Sequence, residues 1–110
     1  MKISQAAEQL GLEVLTMPEP DREVIGGYVG DLLSWVMGRA SADNVWITIM
    51  TNINVLAVAS LSDVCAVVIA ENAEIADDIV EKAKEQGINL LRSKMAAFET
   101  ALAFGRLLGS

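Results

Sequence analysis

Two kinds of apolar pattern alternate along the chain, one with helical spacing and one in short continuous runs. Helical spacing predicts helices at about 4–10, 31–38, 55–61, 75–86 and 95–108. Runs rich in β-branched residues predict strands at 12–16, 45–50, 64–70 and 88–91, with a short extended piece at 24–25. Helices that alternate with short apolar strands favour an α/β layer fold with a largely parallel sheet.

Two of these elements carry specific expectations about burial. The run 64–70 is apolar without a break, which is typical of a strand covered on both faces. We therefore expect Cys65 to be a small buried hydrophobe, since burial in apolar surroundings disfavours a reactive thiolate. Asp31 is expected to cap the second helix. The predicted buried side of that helix consists of Leu32, Leu33, Trp35, Val36 and Met37.

The last predicted helix is apolar around most of its circumference. Met95, Phe98 and Leu102 mark one face, and a second set of apolar residues marks another face. A helix with two apolar faces is usually covered on both sides. We therefore predict that it packs on the sheet and also contacts a second subunit in a two-fold homodimer. The second face consists of Ala97, Ala101, Phe104 and Leu108.

Length and charge narrow the class of protein. The 110 residues, of which 53% are apolar and 21% charged, predict a single globular domain over 1–110. The net charge is −7, and the 8 basic residues are scattered, which argues against binding of nucleic acid or anionic membranes. Polar residues interrupt the longest apolar stretch, 45–61, so we expect no membrane span and a cytoplasmic protein.

The residue types that are missing limit the chemistry. The sequence contains no histidine and a single cysteine, which removes Ser–His and Cys–His pairs and the commonest transition-metal ligand. We therefore expect no enzyme activity, no cofactor and no metal site, although a nucleotide or small anionic ligand is possible. An enzyme that works with carboxylates alone is the minor alternative, because it would need an isolated carboxylate with a perturbed pKa.

The segment 21–34 resembles the DRTGG domain family. Asp21, Arg22, Gly26 and Gly27 match the family name, while Ile25 stands in place of the expected threonine. The resemblance extends over nearly the whole chain, which would be a stand-alone form. It implies a three-layer α/β/α sandwich with about five short strands, similar to the N-terminal domain of HPr kinase/phosphorylase. The catalytic half of that enzyme carries a phosphate-binding loop, and this sequence has no G-x-x-x-x-G-K-[ST] motif.

Two polar stretches are candidates for a ligand site. Consecutive glycines at 26–27 permit positive φ and a close backbone approach, but they would equally suit a purely structural turn. Polar side chains follow the strand 45–50, where open α/β sheets tend to bind ligands, although they could instead shape the turn and cap the next helix. We hypothesise that the glycine turn and this strand end form one ligand site. Its residues would be Arg22, Gly26, Gly27, Thr48, Asn52 and Asn54.

The resemblance and the missing catalytic residue types together predict a non-catalytic regulatory or ligand-sensing module. The alternative is a structural or adaptor subunit that acts through a dimer and a protein partner without a small ligand. A polar pocket preserved in the dimer would favour sensing, whereas a turn filled by Tyr28 or Trp46 would favour the adaptor.

Overall fold

The computed structural model describes residues 1–109. Strands and helices alternate through most of the chain, as the apolar pattern predicts. The strands are β1 (Glu13–Thr16), β2 (Gly26–Val29), β3 (Asn44–Thr48), β4 (Ala66–Ile69) and β5 (Leu90–Arg92). The helices are α1 (Ile3–Leu10), α2 (Leu33–Arg39), α3 (Asn54–Ser62), α4 (Asp77–Glu85) and α5 (Ala97–Leu107).

The strands form one sheet in the order β1-β5-β4-β3-β2. The strands β2, β3, β4 and β5 are parallel, and β1 joins the edge beside β5 in the antiparallel direction. The sheet is therefore largely parallel, as predicted, and β2 forms its other edge. Because β3 and β4 lie in the middle, each is covered on both faces, and their side chains alternate between two cores.

The helices lie in two layers, which makes the fold a three-layer α/β/α sandwich. One core joins α1 and α5 to the face of the sheet that carries Val45, Ile47 and Val68. The other core joins α2, α3 and α4 to the face that carries Trp46 and Val67. Val45 and Trp46 are adjacent in sequence and yet belong to different cores, because successive strand residues point to opposite faces.

The second helix differs from its prediction. Of the five apolar residues expected on its buried side, only Val36 is buried, and Leu33 is partly buried. Leu32, Trp35 and Met37 are exposed, and the ring of Trp35 lies 3.8 Å below the guanidinium of Arg39 instead of in the core. The helix has only 7 residues, so it contributes a single fully buried position where the sequence suggested a broad apolar face.

The last helix packs through one apolar face and leaves the other open. Phe104 is buried against the sheet, with Ala97, Ala101 and Leu108 packed beside it. Phe98 and Leu102, on the opposite face, are 74% and 40% exposed. The predicted two-faced character is therefore present, while the second subunit that we expected on the outer face stays a prediction. Within residues 1–109, no helix combines the length and apolarity needed to cross a bilayer.

Candidate ligand-binding cleft

The six residues predicted to form one ligand site lie at opposite ends of the parallel strands. We call the side of the sheet where these strands begin the amino edge, and the side where they end the carboxyl edge. Gly26 and Gly27 pair with Asn44 and Val45 at the amino end of β3, and Thr48 is the last residue of that strand. Thr48 follows Asn44 by four steps of about 3.3 Å in extended chain, a distance of about 13 Å. The structure therefore does not bring the glycines and the strand end together. Whether any of the six residues binds a ligand stays a prediction.

The two glycines do not form a turn. They are the first residues of β2, and neither has a positive φ. Because glycine has no side chain, these positions leave room for the neighbouring strand. A Cβ on Gly26 would lie 3.1 Å from Asn44 Nδ2, and one on Gly27 would lie 3.2 Å from Val45 Cγ1. The doublet is thus explained by strand packing, and the prediction that it forms a turn is wrong.

Polar groups at the carboxyl end of β3 are engaged within the chain. The Thr48 hydroxyl donates to Asp31 Oδ1 at 2.7 Å, and the amide of Ile49 donates to the same oxygen at 2.9 Å. Asp31 therefore ties down the strand end, and the expectation that it caps α2 is wrong, because the residue at the cap position is Leu32. Asn52 Oδ1 accepts from the Asn54 amide at 2.9 Å, so Asn52 shapes the turn that leads into α3.

Arg22 lies at the opposite, amino edge, in a cluster of ions. Its Nη2 atom is 2.8 Å from Asp43 Oδ1, 2.8 Å from the carbonyl oxygen of Asp63 and 3.2 Å from Asp63 Oδ1. Its Nη1 atom is 3.6 Å from Glu19 Oε2. One guanidinium thus faces three carboxylates, so the cluster is net acidic.

The electrostatics of Arg22 follow from these partners. Burial by itself lowers the pKa of an arginine, because it disfavours the charged form. Here the hydrogen bond to Asp43 and the charges of Asp63 and Asp43 outweigh burial and raise the pKa of Arg22 above its ordinary value. The guanidinium therefore stays charged under all physiological conditions and anchors the cluster.

A polar cleft of about 190 Å³ opens beside this cluster. Arg22 and the loop residue Glu19 form one wall, and the ends of α3 and α4 form the others. Asn89 holds the deep part together, since its side chain accepts from the Glu19 amide at 2.9 Å and donates to the Glu19 and Cys65 carbonyl oxygens at 2.7 and 2.9 Å. The remaining lining residues are Ala59, Ser60, Asp63, Val64, Gln86, Gly87 and Ile88.

The backbone adds negative potential to the cleft. The lining residues Ser60 and Asp63 belong to the carboxyl end of α3, and Gln86 and Gly87 follow the end of α4. The carboxyl end of a helix carries a partial negative charge. Two helix ends and a net acidic ion cluster therefore favour a cationic or neutral hydrogen-bonding group in the cleft and disfavour a phosphate.

Cys65 lines the cleft as a buried thiol. It is 1% exposed, which confirms the prediction that it is a small buried hydrophobe. Burial raises the pKa of Cys65 to about 12, although the charge of Arg22 partly opposes that shift. The thiol is therefore protonated at neutral pH and contributes shape to the cleft, not nucleophilicity.

Sequence reasoning identified Arg22 but missed most of its surroundings. Glu19, Asp43, Asp63 and Asn89 lie in four separate loops or strand starts that only the sheet brings together. One local signal was available, because Asp43 and Asp63 each precede a predicted strand. Both have positive φ, a conformation that aspartate tolerates better than most residues.

At the opposite edge, the turn after β2 is filled by aromatic side chains. The Trp46 indole nitrogen donates to the Gly30 carbonyl oxygen at 2.9 Å. A Cβ on Gly30 would lie 2.9 Å from Tyr28 Cε2, so the Tyr28 ring covers this glycine. A filled turn is the feature that favours the adaptor, while the polar cleft at the amino edge favours sensing.

Comparison with known proteins gives a likeness in fold. No family model matches the sequence, and no curated protein matches it significantly. Among solved structures, the chain is similar to a crystal structure of the CBS and DRTGG domains of the regulatory region of Clostridium perfringens pyrophosphatase, complexed with its activator diadenosine tetraphosphate. The TM-score is 0.68 at 14% identity, over 96% of this chain and 45% of that one.

This likeness supports the predicted DRTGG-like fold. At 14% identity it concerns the fold alone, and the chain spans less than half of the pyrophosphatase structure. The link to HPr kinase/phosphorylase, which the resemblance also implied, stays a prediction.

Proposed function

We propose that this chain is a non-catalytic regulatory module that senses a small ligand in the cleft around Arg22. The observation that carries the proposal is the convergence of three separate segments, around 19–22, 59–65 and 86–89, on one polar cleft at the amino edge of the sheet. The likeness in fold to a regulatory region supports the same class of function. A single cysteine, which allows no disulfide within the chain, fits a cytoplasmic protein.

Size and charge narrow the class of ligand. The cleft of about 190 Å³ is smaller than the 300–1,000 Å³ of typical drug-sized pockets. Three carboxylates and two helix ends surround the single guanidinium of Arg22. The ligand that fits these properties is a small amine or a neutral molecule with hydrogen-bond donors, and a dinucleotide polyphosphate such as the pyrophosphatase activator does not fit them.

The position of Arg22 suggests how binding would change the protein. Its side chain ties the irregular segment after β1 to the start of β3 and to the end of α3. A cationic ligand would compete with Arg22 for Asp63 and Glu19. It would weaken the ion pairs that Arg22 makes with these carboxylates and would form its own ion pairs with them. Such a ligand shifts the balance between two arrangements of these segments by its differential affinity for them.

A thermal-shift panel tests the proposal. The compounds are 1,4-diaminobutane, arginine, adenosine, inorganic diphosphate and diadenosine tetraphosphate, each titrated against the wild type and against Asp63→Asn. A ligand at a hundredfold excess over Kd stabilises the fold by about 2.7 kcal/mol, which is readily seen as a rise in Tm. We expect a saturable rise with an amine or neutral compound that weakens in Asp63→Asn, with Thr48→Val as the control at the other edge.

An adaptor is the second candidate, and one specific observation favours it. Several large apolar side chains are exposed in β2 and α2 or just before them, among them Ile25, Val29, Leu32 and Trp35. Exposed apolar patches, more than single exposed residues, mark interaction surfaces. Absence of any shift across the panel, combined with loss of partner binding in Ile25→Glu and Trp35→Glu variants, would favour the adaptor over the sensor.

A further inference from the structure

The outer face of α5 and the neighbouring edge of the sheet form an apolar surface that no other part of residues 1–109 covers. We call it the α5 surface, and it consists of the exposed Phe98 and Leu102 together with a groove of about 230 Å³ between α5 and β2–β3. All residues that line the groove are apolar or glycine. They are Gly26, Gly27, Val29, Val45, Ile47, Ala101, Phe104, Gly105 and Leu108.

This surface contains both a protrusion and a recess. Phe98, 74% exposed, is the protrusion. Gly105 lies in the recess, where an added Cβ would meet nothing within 4 Å. The two residues are seven positions apart, so they lie on the same helix face, separated by about 10.5 Å along the axis.

We infer that the occupant of this groove is a second copy of the chain. Two α5 helices that cross in antiparallel fashion around a two-fold axis between Ala101 and Leu102 place Phe98 of each copy opposite Gly105 of its partner. The same protrusion then enters the same recess twice, which is the self-complementarity that a two-fold interface requires. Leu102, 40% exposed in the single chain, lies at the axis and is covered by its symmetry mate.

The charges beside this surface fit the same arrangement. Glu99 and Arg106 are both exposed and both project from the same flank of α5, about 80–100° from Phe98 around the helix. A two-fold axis keeps that flank on one side, so Glu99 of one copy comes beside Arg106 of the partner. The pair is complementary, and the centre of the surface, at Ala101 and Leu102, carries no charge that would oppose the approach of two chains of net charge −7.

The oligomeric state of matched variants tests this interface. Sedimentation equilibrium should give twice the chain mass of 11.7 kDa for the wild type at tens of micromolar. Phe98→Glu should raise the dimer Kd at least about 30-fold, the effect of losing a central apolar anchor. Leu61→Glu is the matched control, because Leu61 is 72% exposed on α3 in the opposite layer, and its Kd should stay at the wild-type value.

Four further variants keep the test independent of folding. An added Cβ at Gly105 meets nothing within 4 Å, so Gly105→Leu should fill the recess and raise the Kd while Tm is maintained. Glu99→Arg and Arg106→Glu should each weaken the dimer, and the double variant should restore it. A monomeric wild type, or a dimer that persists in both Phe98→Glu and Gly105→Leu, would overturn the inference. Neither result bears on the Arg22 cleft, which lies at a different place on the molecule.

Discussion

Arg22 Nη2 lies 2.8 Å from Asp43 Oδ1, and this ion pair joins two segments 21 residues apart in sequence. The same nitrogen also donates to the Asp63 carbonyl oxygen, so one side chain holds the segment before β2, the start of β3 and the end of α3. The ion pair is partly buried, which makes it stronger than an exposed one. The amino edge of the sheet therefore depends on a single residue for much of its organisation.

Replacement of Arg22 should destabilise the fold moderately. We expect Arg22→Met to lower the free energy of unfolding by about 1–2 kcal/mol, because charge-assisted hydrogen bonds are lost and the Asp63 carbonyl loses a donor. Urea denaturation measures the change. Lys2→Gln is the control, since the Lys2–Asp21 pair at 3.5 Å is exposed and its loss should change the free energy by less than about 0.5 kcal/mol.

Asn89 should contribute more to the stability of the fold than its neutral side chain suggests. It is 2% exposed and makes three hydrogen bonds, two of them to the backbone of Glu19. We expect Asn89→Ala to lower the free energy of unfolding by about 2–3 kcal/mol, because buried backbone groups lose their partners. Differential scanning calorimetry measures this loss of stability. An Asn89→Ala protein as stable as wild type would contradict this account of the cleft.

The hydroxyl of Thr48 should matter for stability but not for ligand binding. Thr48→Val keeps the shape and removes the hydrogen bond to Asp31, so we expect a loss of about 1–2 kcal/mol in the free energy of unfolding. The response to ligands should be unchanged, because Thr48 lies at the edge of the sheet opposite the cleft. A lost ligand response in this variant would return the site to the carboxyl end of β3.

Cys65 should make stability depend on alkaline pH. Its pKa rises from an ordinary 9.0 to about 12 in the folded chain, so ionisation of the thiol opposes folding. The stabilisation is therefore complete below about pH 9 and is lost progressively as pH rises towards about 12. The free energy of unfolding, measured by denaturation between pH 8 and 10.5, should fall more steeply with pH for wild type than for Cys65→Ala. Equal pH dependence in the two proteins would show that the thiol does not titrate as described.

The sequence predicts most of the fold, because its apolar pattern is local. The unbroken run of β4 and the spacing of Ile79 and Ala83 in α4, with Ile75 just before it, each indicate one element without long-range information. The exposure of α2 was not predictable, since spacing shows which residues share a face but not whether the sheet reaches them. Trp35 is the example, exposed beside Arg39 although its position on the helix suggested burial.

The candidate site was predictable only in part, for reasons of topology. The hypothesis treated Gly26 and Gly27 as a turn after the extended piece 24–25, whereas they open β2 and pair with the amino end of β3, the end opposite Thr48. The partners of Arg22 come from loops 21 and 41 residues away. Such contacts depend on strand order, and strand order is not encoded in the local pattern.

The most direct test of the cleft is an NMR titration of the isotopically labelled chain with whichever compound of the panel raises Tm most. Our account predicts that the compound is an amine or a neutral donor, and that saturable amide shifts cluster at Asp63, Gly87 and Asn89. The shifts should be lost in a Glu19→Gln, Asp63→Asn variant that remains folded. Shifts that cluster instead at Ile49 to Asn54, or a polyphosphate as the strongest ligand, would contradict the claim that this acidic cleft is the sensing site.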